Sequence, residues 1–146
     1  MPDVAKFYGK AFTSAFNKEI DFNSDTIKAM LCSSAYTPDQ DAHQYKSDVT
    51  NEITGTGYTA GGVTLANCTV SYDSATNTLK LDCDDFSWGP GATFTARTLV
   101  IYDNTPGSDA TRPLIMYVTF NADIPVTSST FSVTVNAGGL CTVTVS

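Results

Sequence analysis

The chain has 146 residues, enough for one domain with a real hydrophobic core, and no apolar run long enough to cross a membrane as a helix. Only 16% of the residues are charged while Ser and Thr are abundant, a balance that suits strands and turns better than helices. The net charge is −7 with just two arginines, Arg97 and Arg112, which excludes the basic footprint of a nucleic-acid binder.

The opening residues MPDVAKFYGK carry neither the apolar stretch nor the cleavage site of a signal peptide, so synthesis and folding in a cytoplasm are expected. The spacing then predicts a helix over Val4 to Ile20, within an N-terminal segment of residues 1–22. Tyr8, Phe12 and Phe16 recur every four residues and form an apolar stripe, with Lys6, Lys10 and Lys18 left to water. Asp3 is placed to cap that helix. The stripe has two readings: it packs on the chain's own sheet, or it docks on another subunit. Thr26 to Cys32 alternates with period two and predicts a strand. Residues 33–62 form a long loop rich in turn residues, with a short strand at Val49 to Ile53; a loop of that length in a small domain is usually functional or locally structured.

From Val63 to the end the pattern is all strands and turns. The candidates are Val63 to Tyr72, Thr78 to Asp82, Thr93 to Asp103, Leu114 to Phe120, Thr130 to Val135 and Cys141 to Val145. The clearest turns are Asp73 to Asn77, Asn104 to Pro113 and Asn136 to Gly139. Together these predict a single all-β domain: an antiparallel β-sandwich or jelly roll of about seven to eight strands with one N-terminal α-helix.

One hairpin can be read in register. Matching apolar faces places Tyr72 opposite Leu79, Val70 opposite Leu81 and Cys68 opposite Cys83, while Ser71 meets Lys80 and Thr69 meets Asp82. A slip of one residue would set apolar side chains against polar ones. Opposed residues lie roughly 4.5 to 5.5 Å apart at Cα, within the reach of a disulfide. Cys68 and Cys83 are therefore expected to be adjacent and able to bridge; two reduced buried thiols are the equal alternative, since cytoplasmic synthesis opposes oxidation. Cys32 and Cys141 end the first strand and begin the last. Three states stand open for them: a bridge within the chain if those strands are neighbours, a bridge between subunits, or free thiols.

Candidate chemistry is sparse. The one histidine, His43, follows Asp39 and Asp41, but no nucleophile is identifiable near it, and loop hydrogen bonding is the expectation. Asp82, Asp84 and Asp85 fall short of the roughly six to eight oxygens that calcium takes. The cysteines lack zinc-type spacing. GTGYTAGG lacks the lysine of a phosphate-binding loop. Trp88, in the tight-looking Ser87 to Gly91, is expected to pack inward. No catalytic residue, metal or cofactor is predicted.

Five pieces, in their order and spacing, carry a resemblance: YGK (Tyr8 to Lys10), SDTIKAML (Ser24 to Leu31), the stretch Tyr36 to Gly62, ANCTVSYDSATNTLKLD (Ala66 to Asp82) and PLIMYVTF (Pro113 to Phe120). The chain resembles a family of small virion proteins of tailed bacteriophages, of minor capsid, head-fibre or tail-associated type. The resemblance implies a non-enzymatic structural component of the particle: a minor capsid, decoration or neck protein. Its partners would be other capsid, neck or tail subunits and copies of itself, with neither nucleic acid nor membrane. Contacts are expected through Tyr8, Phe12 and Phe16 of the helix stripe and Tyr36, Tyr45 and Tyr58 of the long loop, with disulfides hardening the released particle. The alternative is a glycan- or receptor-binding module of a fibre or tail, with exposed aromatics in one patch.

Overall fold

The computed structural model describes residues 3–146. Its elements are β1 (Val4–Phe7), α1 (Lys10–Phe16), β2 (Ile27–Cys32), β3 (Val63–Thr64), β4 (Thr69–Asp73), β5 (Thr78–Asp82), β6 (Phe86–Asp103), β7 (Leu114–Val133) and β8 (Cys141–Thr144), with a 3₁₀ turn at Lys46–Asp48. The strands form two antiparallel sheets, one of order β1-β7-β6-β2-β3 and one of order β4-β5-β8. The chain is an all-β sandwich with one short helix near its N-terminus.

The larger sheet is buried on both faces. Leu31 lies opposite Leu99 and Ala29 opposite Ile101, and these point into the main core between the sheets. Met30 and Val100, paired in the same ladder, point the other way, into a second cluster with Tyr8, Tyr36, Tyr102 and Tyr117. The long loop roofs that outer cluster. Leu114 N–H donates to the Gln44 carbonyl at 2.8 Å, and Lys46 N–H to the Arg112 carbonyl at 2.8 Å. Burial on both faces explains why Met30 and Cys32, on the face opposite Ile27, Ala29 and Leu31, are also interior.

Several sequence expectations are corrected. Only Lys10–Phe16 of the predicted Val4 to Ile20 helix is helical. Val4–Phe7 is an edge strand whose residues pair with Thr119 to Met116 of β7, and Tyr8 N–H extends the contact to the Ile115 carbonyl at 3.1 Å. The ladder satisfies backbone groups that a helix start would leave open. Asp3 caps no helix; its Oδ1 accepts from Asn121 N–H at 2.9 Å. The predicted strand Val63 to Tyr72 divides between the two sheets, turning at Asn67, which has φ of 53°. At Val49 to Ile53 a single bridge, Cys32 to Glu52, replaces a strand, because Asn51 at φ of 57° breaks the extended run. Thr93 to Asp103 begins earlier, at Phe86, and Leu114 to Phe120 is continuous with Thr130 to Val133 in β7. Register shifts between Trp88 and Ala92, Ala92 and Phe94, and Ala96 and Thr98 bend this β6–β7 pair.

Candidate contact surface

The apolar face of β4 and β5 forms with the register expected: Tyr72 to Leu79, Val70 to Leu81, Ser71 to Lys80 and Thr69 to Asp82. On this face Leu81 and Cys83 reach the main core. Towards the hairpin tip the face is uncovered. Tyr72 is 52% exposed, and Val70 is exposed beside it.

Helix α1 stands across from this uncovered face and leaves an apolar groove of about 190 Å³. Ala11, Phe12 and Ala15 form the helix wall; Val70, Leu79, Leu81 and Val143 form the sheet wall; Phe7, Phe22 and Ile115 lie between them. The helix is short, so only Ala11 and Ser14 are buried along it. Phe12 is exposed but rests on Phe7, with ring centroids 5.0 Å apart. Phe16, one turn further, is 89% exposed. Burial of a phenylalanine side chain is worth roughly 1.5 to 3 kcal/mol, a gain that the solvent-facing Phe16 forgoes here.

The other expected contact residues are placed differently. Tyr8 and Tyr36 are interior, and their hydroxyls bond each other at 2.8 Å. The Tyr36 hydroxyl also meets His43 Nδ1 at 3.0 Å, and Asp39 N–H donates to the same nitrogen at 3.3 Å. Nδ1 is thus the acceptor, and the protons run from Tyr8 to Tyr36 to His43. Burial first, and then the bond to Tyr36, pushes the Tyr8 phenol well above its ordinary range. Tyr45 and Tyr58 are half-buried. Tyr45 sends its hydroxyl to Glu19 at 3.4 Å, and Tyr58 sends its own to Glu52 at 2.7 Å. These tyrosines fasten the long loop to the sheet, which removes Tyr8 and Tyr36 as direct partner contacts. Trp88, 2% exposed, stacks on Tyr58 and Phe131, so it offers no platform to a sugar.

All four cysteines are free thiols. Cys68 and Cys83 follow directly on the last ladder pair, Thr69 to Asp82, and both face the main core. Burial, followed by Cys68 and the nearby Asp82, Asp84 and Asp85, pushes Cys83 up to about 12. That suppresses the thiolate needed for disulfide exchange. Cys32 and Cys141 are not on neighbouring strands, and they lie on opposite sides of the larger sheet, Cys32 in the outer cluster and Cys141 against the main core. β2 lies between β6 and β3, whereas β8 pairs with β5 in the other sheet. Burial pushes both of these thiols up to about 12.

The acidic residues near the hairpin diverge. Asp82 pairs with Lys80 at 3.0 Å, Asp84 accepts from Asn67 at 2.7 Å and Asp85 accepts from Val135 N–H at 2.8 Å. Asp39 caps its own turn, and the N–H groups of Ala42 and Asp41 hold its carboxyl below the usual carboxylate range. Among the described residues, no group of three or more His, Cys, Asp or Glu is arranged to hold a metal ion. The hairpin's apolar face was legible in the sequence; that α1 would leave it open was not, because the helix ends four residues short of the predicted Ile20. No protein-family model, curated protein or solved structure matches this chain.

Proposed function

We propose that this protein is a non-enzymatic structural component of a tailed-phage virion, a minor capsid, decoration or neck protein that works by burying surface against neighbouring subunits. The observation that carries this reading is the open apolar groove between α1 and the β4–β5 face, with Phe16 of the same helix left in solvent. The sequence resemblance to small tailed-phage virion proteins supplies the kind of particle. Copies arranged by point symmetry fit such a role, since a repeated patch then closes on itself or on a repeating lattice. The thiols take part as buried apolar groups, and the long loop serves as a fastened roof over the outer core.

The test is assembly. A particle preparation carrying this chain is compared with one carrying Phe16→Ser. The variant's stability should change by less than about 0.5 kcal/mol, as for most surface substitutions. Its occupancy on purified particles, read by mass spectrometry and electron cryo-microscopy, should fall several-fold. A wild-type chain that never co-purifies with particles ends the proposal.

A further inference from the structure

Asp103, the last residue of β6, is 0% exposed, and its Oδ2 has no hydrogen-bond donor among the described residues. Its other oxygen accepts from Thr105 N–H at 2.8 Å. Asp103 is paired with Ile27, so Asp25, two residues earlier, is its diagonal neighbour, and the Asp25 carboxyl raises the cost of charging Asp103. The backbones are tied at the same place: Asn104 N–H donates to the Thr26 carbonyl and Thr26 N–H to the Thr105 hydroxyl, both at 2.8 Å.

Among the described residues, no cation answers this pair. Lys28 pairs with Tyr102, on the opposite face of the ladder. Arg112 donates to the Pro106 carbonyl and to Asp109, and Lys46 is engaged with Asp109 and the face of Tyr102. The remaining charged neighbour in the segment, Asp21, is another carboxylate; its own N–H donates to Asp25 Oδ2 at 2.6 Å. Two neighbouring carboxylates, one of them without access to water, cannot both hold full negative charge at low cost.

We propose that Asp25 and Asp103 hold one proton between them, and that this proton latches the segment after α1 to the end of β6. The proton supplies the donor that Asp103 Oδ2 lacks. Burial first, and then the Asp25 carboxyl, pushes Asp103 up to about 6, in keeping with that sharing. The latched segment also carries Phe22, which lines the apolar groove, and Asn23, whose side-chain oxygen accepts from Val70 N–H at 2.7 Å. Loss of the proton sets two charges against each other and loosens one wall of the groove. The proton site stands whatever occupies that groove.

The measurement is a carbon-13 NMR titration of the Asp carboxyl groups in the full chain, with melting curves from pH 4 to 7. Asp103 should titrate near the neutral side of the carboxylate range, in a step belonging to the pair. The wild-type melting temperature should fall by roughly 5 °C more over that range than that of Asp103→Asn or Asp25→Asn, because an amide donates permanently. Either variant serves if the other does not fold, and the wild-type titration needs neither. Both carboxyls titrating below about pH 4.5 overturns the proposal. So does a melting temperature raised by calcium or magnesium in the wild type but not in Asp103→Asn, which assigns the pair to a cation.

Discussion

Glu52 accepts two hydrogen bonds through one oxygen, from the Tyr58 hydroxyl and from Gly61 N–H, while the Tyr58 oxygen accepts from Leu31 N–H at 3.0 Å. The Gly61 carbonyl in turn accepts from the Tyr102 hydroxyl at 2.8 Å. These bonds tie the loop to β2 and β6 where no regular ladder exists. Gly62 completes the approach: with φ of 77°, any Cβ there would fall 1.8 Å from the Ala29 carbonyl oxygen. Glu52→Ala strands two donors and is expected to cost about 2 kcal/mol, read as a lower urea midpoint with unchanged slope. The length of this loop marked it in the sequence as functional or locally structured. It could not show that one carboxylate anchors it, because Glu52 lies apart from the groups it holds and only the fold brings them together.

Among the elements, the β4–β5 hairpin was legible in its register from Thr69–Asp82 to Tyr72–Leu79, though not in where its first strand starts. Strict alternation admits one pairing of apolar with apolar, and the turn DSATN closes it. Asn77 sits at φ of 51° and accepts from the Tyr72 hydroxyl at 3.0 Å. Asn77→Ala should therefore destabilise by about 1 kcal/mol, and Asn77→Gly by less, since only glycine and asparagine tolerate that backbone region well. The difference is measurable by thermal melting. The N-terminal segment misled for a physical reason. Tyr8, Phe12 and Phe16 keep a four-residue period, yet they belong to a strand end, a helix face and a helix end. Four-residue aromatic spacing cannot distinguish a helix from a strand running into a short helix. The length of β6 and β7 was hidden by their bulges. Each register shift breaks the two-residue period, and Gly89, Pro90 and Gly91 read as a turn although they lie inside β6.

At the scale of the molecule, opposing titrations set the pH dependence. The Lys46 ammonium beside Asp109 holds its carboxyl below the ordinary value of 3.8, and the Ala75 N–H does the same for Asp73. Groups of that kind add stability above the ordinary value and lose it as pH falls through their depressed values. Asp103 has the opposite sign: its contribution is complete below 3.8 and disappears as pH rises through about 6. Stability should therefore peak between these ranges, near pH 4, and decline on both sides. Scanning calorimetry at low ionic strength checks this; a curve rising steadily from pH 4 to 7 contradicts it. The net charge of −7 near neutrality adds to the decline on the alkaline side.

The outer aromatic cluster has a consequence for how the molecule breathes. Cys32 belongs to that cluster and is sealed beneath the loop that Tyr36 and Val49 hold down. An alkylating reagent can mark its sulfur only while that lid is lifted. The residue is thus a built-in stopwatch: the pace of its modification clocks the lifting of one layer and leaves the opposite core unprobed.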